Sequence, residues 1–149
     1  MIAIGFDHAG VAFKNEIVAH LKKRKIEIVE FGPPDGAVAS DYPDYAEKVC
    51  REVIKGKATY GILICGTGIG MSIAANKFDG IRCALCGDSF SAKATREHNN
   101  ANVLALGNRV LGVGLALDIV DAFLDTPFSR EERHIKRIEK IAKYEKGGK

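Results

Sequence analysis

Five short apolar runs alternate along the chain with stretches of helical periodicity, and this alternation limits the possible folds more than any other feature. The runs are IAIGF (Ile2 to Phe6), IEIVEF (Ile26 to Phe31), YGILIC (Tyr60 to Cys65), RCALCG (Arg82 to Gly87) and VLALG (Val103 to Gly107). Between them apolar residues recur at helical spacing: Phe13, Ile17 and Leu21, then Ala46, Val49, Cys50, Val53 and Ile54, then Leu115, Ala116, Ile119, Val120, Phe123 and Leu124. Ser40-Asp41 before Tyr42-Pro43 reads as a helix start, and Pro127 as a stop. Strands this apolar, separated by helices, fit a parallel sheet covered on both faces. The expected fold is a three-layer α/β/α sandwich: a Rossmann-like, five-stranded parallel sheet with an extra C-terminal helix. Ile135, Ile138, Ile141 and Ala142 form the apolar side of that last helix. With 149 residues and no internal repeat or linker, residues 1–149 form a single domain.

The fold class has a functional consequence, because strand-to-helix loops of a parallel sheet all leave from one edge, where such folds bind ligands. Here those loops carry Asp7-His8, Gly32 to Asp44, Cys65 to Gly70, Asp88-Ser89 and Asn108-Arg109. The most informative is ILICGTGIGMSIAANK (Ile62 to Lys77). Its glycines stand at 66, 68 and 70, whereas a dinucleotide loop needs the first, third and sixth positions after the first strand. Asp88 lies about 20 residues on, but after the fourth strand rather than the second. No GK[ST] follows either, so nucleotide binding and dinucleotide oxidoreduction are disfavoured. A cysteine at a strand tip facing a helix N-terminus and closely approaching amides can form a thiolate beside an anion hole. That arrangement suits acyl transfer or proton abstraction next to a carbonyl. A buried cysteine capped by a glycine turn is the bland alternative.

Charge excludes other classes. The net +3 comes from the end of the chain: from Ser129 onward there are eight Lys/Arg and four Asp/Glu, which leaves 14 basic and 15 acidic residues elsewhere. No aromatics interleave with the basic residues, so no nucleic-acid partner is expected. No apolar run reaches membrane-spanning length and no leader pattern is visible, so a cytoplasmic protein without a membrane partner is expected. Its four cysteines should then be thiols. Cys83 and Cys86 resemble a CxxC pair, but residues three apart on a strand face opposite sides, which argues against a metal or redox pair. Asp7-His8 at the first strand tip could orient a hydroxyl or act as acid and base. Arg133 and Arg137, one turn apart and opposite the isoleucines, suit a phosphate dianion.

Together with DHAG (Asp7 to Gly10), SDYPDYA (Ser40 to Ala46), GIRCAL (Gly80 to Leu85), REHNNANVLALG (Arg96 to Gly107) and RHIKRIEKI (Arg133 to Ile141), the central motif closely resembles the ribose-5-phosphate isomerase B family, whose relatives act on allose 6-phosphate and galactose 6-phosphate. The resemblance covers nearly the whole chain. It implies an aldose–ketose isomerisation of the pentose phosphate pathway, through a cis-enediol, with no metal and no organic cofactor. Carried over by residue, Cys65 matches the base moving a proton between C2 and C1, and Thr67 a hydroxyl near the substrate oxygens. The amides from Gly66 through Gly68 to Gly70 match the anion hole. His98, with Asp7 nearby, matches the group that opens the furanose ring. Tyr42 and Asn99 match substrate contacts, and His8, Arg109, Arg133 and Arg137 the phosphate site. An isomerase of allose 6-phosphate or galactose 6-phosphate, a non-catalytic sugar-phosphate binding module and a cysteine acyl hydrolase are the competing readings. The fourth helix must run back across the sheet, so His98 should not reach Cys65 of its own chain. The expected assembly is therefore a homodimer or tetramer with shared sites.

Overall fold

The computed structural model describes residues 1–36 and 39–145. Two residues of the expected Gly32 to Asp44 loop, 37 and 38, and the end of the basic tail, 146–149, lie outside the described residues. Five strands, β1 (Ile2–Phe6), β2 (Ile28–Phe31), β3 (Tyr60–Cys65), β4 (Cys83–Leu85) and β5 (Val103–Gly107), form one sheet in the order β2-β1-β3-β5-β4. Every pairing is parallel. Helices α1 (Val11–Lys23), α2 (Tyr42–Ile54), α3 (Ile69–Ala75), α4 (Ser89–Asn99), α5 (Val113–Asp125) and α6 (Glu132–Glu145) complete the chain. The expected sandwich is therefore the observed one.

Strand alternation divides the interior into two layers. Ile2, Ile4, Phe6, Ile62, Ile64, Leu104 and Leu106 face α1, α4 and α5, where Phe13, Ile17, Ile119 and Phe123 close the larger core. Ala3, Leu63, Cys65, Val103 and Ala105 face α2 and α3 with Val49, Cys50 and Met71. This second face is lined with small residues so that α2 can lie close. A Cβ added at Gly61 would stand 2.6 Å from Val49 Cγ1, and one at Gly5 2.8 Å from Val49 Cγ2. A side chain at Gly61 would overpack this contact, at a cost of about 1–3 kcal/mol.

Three elements differ from the sequence expectation. The second strand starts at Ile28 rather than Ile26, because Lys25 takes φ 59 to close the turn after α1. The fourth is reduced to three residues, since as an edge strand it has only β5 as partner. In α6 the side turned to its own chain is centred on buried His134, with Ile138 and Ala142 half-buried, while Ile135 and Ile141 are exposed. The expected isoleucine stripe is thus mostly unburied within one chain. Cys83 packs against the α2/α3 core and Cys86 belongs to the other, so the CxxC-like pair faces opposite layers as expected.

Between β1 and β3 the strand order reverses direction, since the chain goes outward to β2 and then returns to build the other half. In an open α/β sheet that reversal leaves a crevice beyond the carboxyl ends of the two strands. Those ends carry Asp7 and Cys65. The insertion of β5 beside β3 places the Gly107 to Arg109 segment next to Cys65 and moves the Asp88 loop one strand further away.

Candidate active site

Cys65 ends β3, is 5% exposed, and its Sγ accepts the Gly68 N–H at 3.1 Å. This bond requires a sharp reversal: Gly68 has φ 77, and a Cβ there would stand 2.5 Å from Leu85 Cδ1 and 2.9 Å from the Leu106 carbonyl carbon. Only glycine fits both demands. At Gly70 a Cβ would meet the Tyr42 ring at 2.6 Å, so the aromatic side chain that starts α2 packs directly on the turn. Thr67 Oγ1 accepts the Ile69 N–H at 3.3 Å. The Gly68 and Ile69 amides thus have acceptors inside the loop, which narrows the expected anion hole to its other amides, those of Gly66, Thr67 and Gly70, the last in the first turn of α3 where N–H groups lack intrahelical partners.

The flanking loops lock this turn from both sides. Asn108 N–H donates to the Cys65 carbonyl at 2.9 Å, and Arg109 N–H to the Gly66 carbonyl at 2.9 Å. The Arg109 side chain lies against the Gly66 backbone, 3.5 Å from where a Cβ would be. Asn108 Nδ2 reaches across to the Ala9 carbonyl and ties the loop after β5 to the loop after β1. In that first loop Asp7, 6% exposed, caps a 3-10 turn (His8–Gly10): its Oδ1 accepts from Ala9 N at 3.0 Å and Gly10 N at 3.1 Å. His8 pairs with Ser40 in both directions. Its N–H donates to Ser40 Oγ at 3.2 Å, and its Nδ1 accepts from Ser40 N at 3.3 Å, which leaves Nε2 to carry the ring proton. Asp7 and His8 are therefore oriented by different partners and do not form a pair with each other.

The structure brings together Asp7, His8, Tyr42, Cys65 to Gly70 and Arg109. It does not bring His98, Asn99, Arg133 or Arg137 to them. In register, Gly61 pairs with Val103 and Cys65 with Gly107, and the Asn102 carbonyl accepts from Gly61 N at 2.9 Å. α4 therefore delivers Asn99 to the amino edge of the sheet, and the four residue steps from Gly61 to Cys65 separate the edges by about 13 Å. There His98 is exposed, its ring 4.5 Å from that of His134 between centroids. His134 is 2% exposed and its Nδ1 shares a 2.7 Å hydrogen bond with Ser129 Oγ. Burial, then the nearby Arg133 cation, lowers the His134 pKa from its ordinary value. Exposed Arg133 Nε donates to Glu131 Oε2 at 2.7 Å, and this hydrogen bond holds the Glu131 carboxyl below the usual carboxylate range. Exposed Arg137 makes no ion pair among the described residues.

Burial acts on the thiols of Cys50, Cys83 and Cys86. Burial pushes the Cys50 thiol up to about 12 and the Cys86 thiol up to about 11, and raises Cys83 as well. Those three remain protonated at neutral pH. Asp88 caps α4 through Ser91 N at 2.7 Å and Ser91 Oγ at 2.8 Å, so its carboxylate is committed to the helix and not to a ribose. A groove of about 380 Å³ beside the glycine turn is lined by Thr67, Ile69, Leu85, Cys86, Val110 and Leu111 among others. The larger cavity, about 580 Å³, lies near the amino edge and includes Asn99 and Arg82 but none of the residues around Cys65. Two supporting residues carried no site assignment in the sequence: Ser40, read only as a helix start, and Asn108, read only as a loop residue. Their proximity to strand-tip loops was the available signal.

A thiol against a glycine turn, at the switch point of a doubly wound sheet, defines a class of α/β enzyme site organised around one cysteine and backbone amides. Comparison with known proteins narrows that class. The family model described as "Ribose/Galactose Isomerase" matches residues 2–141. The chain is similar to a putative sugar phosphate isomerase of Bacillus subtilis (54% identity, 97% of this chain and 96% of the relative). It is also similar to ribose-5-phosphate isomerase B of Escherichia coli (49% identity, 97% and 95%). The solved ribose-5-phosphate isomerase B of Clostridium thermocellum superposes with a TM-score of 0.95 at 50% identity, over 99% of each chain. The chain belongs to the ribose/galactose isomerase family, and it is an aldose–ketose isomerase of sugar phosphates.

Proposed function

We propose that the enzyme interconverts ribose 5-phosphate and ribulose 5-phosphate, with Cys65 as the proton-transfer base and a neighbouring copy of the chain supplying His98, Asn99, Arg133 and Arg137. Starting from the aldose, His98 assists opening of the furanose to the free aldehyde. The Cys65 thiolate removes the C2 proton, and the electrons of that C–H bond form the C1–C2 double bond of a cis-enediolate, leaving negative charge on O1. A proton passes from O2 to O1 beside the Thr67 hydroxyl, and the thiol returns its proton to C1, which leaves the carbonyl at C2. Amides already fixed around the turn favour the enediolate, one well-placed donor being worth roughly 3–4 kcal/mol in a comparable hole. Phosphate held by arginines supplies binding energy away from the reacting carbons.

The observation that carries this reading is the distance between the two edges. Both sets of side chains expected to touch one small sugar phosphate are present, yet one chain keeps them apart. A second copy resolves this, and the carboxyl edge offers a surface for one: around the groove beside the glycine turn Ile69 is 51% exposed, Leu85 44% and Val110 68%. Apolar surface clustered in this way beside a groove suits a protein partner. An isomerase assay on ribose 5-phosphate, allose 6-phosphate and galactose 6-phosphate, with and without chelator, tests the substrate assignment. Turnover is expected to be fastest with the pentose and unchanged by chelator. Faster turnover of either hexose would move the preference to that sugar.

A further inference from the structure

We infer that Arg96 is a positioning residue: it fixes the left-handed turn that presents His98 and Asn99 to the substrate. The inference rests on the reading of His98 as the ring-opening group. Arg96 is 4% exposed, and none of its nitrogens forms an ion pair with a carboxylate among the described residues. Its guanidinium lies 4.6 Å from the Tyr60 ring centroid and 5.6 Å from that of Phe123, and its Nε is buried without a hydrogen-bond partner. Burying a cation without a carboxylate and with an orphaned N–H is unfavourable, and leucine or methionine would fill the space beside the two rings without either defect. What an apolar side chain could not do is reach the turn. Arg96 NH1 donates to Asn100 Oδ1 at 2.9 Å and to the Ala101 carbonyl, while NH2 donates to the Tyr60 hydroxyl at 2.8 Å. The turn is thereby fastened to β3.

The segment needs that support. α4 ends at Asn99, and Asn100 takes φ 45, ψ 43, with its N–H and that of Ala101 returning to the carbonyls of Arg96 and Thr95. Arg82 fastens the outer side, donating to the carbonyls of Asn99 at 2.9 Å and Asn100 at 2.8 Å. His98 and Asn99 are themselves exposed. Their placement therefore depends on the backbone of the turn, which the two arginines hold from opposite sides.

The test separates ring opening from proton transfer. Ribose 5-phosphate closes a five-membered ring through O4, but ribulose 5-phosphate cannot, because its O5 carries the phosphate. Exchange of the ribulose 5-phosphate C1 proton for deuterium in D2O thus reports enolisation without any ring step. In full-length Arg96→Met, turnover of ribose 5-phosphate should fall about tenfold or more, since small misplacements of a working group have effects of that size. At saturating ribulose 5-phosphate, where weaker binding through Asn99 no longer limits the rate, C1 exchange should stay within about twofold of wild type. Asn100→Gly keeps the left-handed turn but removes the Arg96 acceptor, and should show the same split to a smaller degree even if Arg96→Met fails to fold. Equal loss of both rates, or loss of neither, in Asn100→Gly and any folded Arg96→Met would overturn the proposal. His98→Ala is the control. If it shows no split, the ring-opening reading fails and the positioning role with it; if it splits and the other variants do not, only the role of Arg96 fails.

Discussion

The two edges of the sheet carry the two halves of one expected site, and they are built differently. At the carboxyl edge the polar groups are tied to backbone: Asp7 to Ala9 and Gly10, His8 to Ser40, Cys65 to Gly68, Thr67 to Ile69. At the amino edge the expected substrate residues are exposed, and the contacts of the His98 and Arg133 side chains are with other side chains: His98 with His134 and Glu97, Arg133 with Glu131. A group that must receive charge in the transition state benefits from being fixed beforehand. Groups that steer and bind a phosphate dianion need to project and keep their charge in reach of a partner surface. The contrast fits a site whose proton-transfer half is held within each chain and whose ring-opening and anchoring half is presented outward.

The largest expected effect breaks the proton-transfer half. Cys65→Ala should lower kcat by about a hundredfold to ten-thousandfold, the span attributable to one proton-transfer group, with substrate binding retained. Cys86→Ala should leave kcat nearly unchanged, because its raised thiol stays protonated. Steady-state kinetics with a binding measurement on the Cys65 variant checks both. Substantial turnover in Cys65→Ala would remove the base assignment.

On the anchoring half, Arg137→Ala should raise KM for ribose 5-phosphate about tenfold or more while affinity for ribose hardly changes, consistent with roughly 1.5–3 kcal/mol for a hydrogen bond to a charged group. Arg133→Ala should act in the same direction but less, because wild-type Arg133 is already engaged by Glu131. Competition binding with the phosphorylated and free sugars distinguishes this from packing, which would weaken both alike.

A smaller effect sharpens the comparison through pH. Burial lowers the pKa of His134 beneath His98, with Arg133, His98 and Arg137 also disfavouring its protonation and Glu131 favouring it. The unfolded chain therefore takes up a proton here at higher pH than the folded chain. This contribution to stability is fully present above the ordinary histidine value of 6.5 and is lost as pH falls from there through the lowered folded value. Thermal unfolding between pH 7.5 and 5.5 should show a steeper fall for wild type than for His134→Gln. Identical slopes would show that burial of this ring does not govern the pH response.

Much of this was legible in the sequence. The five strands, the parallel sheet and the gathering of Asp7, Cys65 and Arg109 follow from apolar runs ending at polar or glycine residues, where periodicity and loop geometry leave few alternatives. The placement of β5 between β3 and β4 was not, since strand order depends on long-range packing that no local pattern records. Nor was the engagement of Gly68 N–H by sulfur, which depends on a left-handed turn enforced by Leu85 and Leu106 from distant segments. The isoleucines of α6 misled for a related reason: a helical stripe shows that a face is apolar, not which molecule covers it.

The central claim, that one active site takes Cys65 from one chain and His98 from another, is tested most directly by complementation. Cys65→Ala and His98→Ala are each purified as nearly inactive proteins and mixed under conditions in which subunit exchange is demonstrated independently. A shared site leaves one intact Cys65–His98 pair in each mixed dimer, so activity should reappear, approaching about a quarter of the wild-type value per site at complete random exchange. Demonstrated exchange with no recovered activity would contradict the account and require the two residues to act within a single chain.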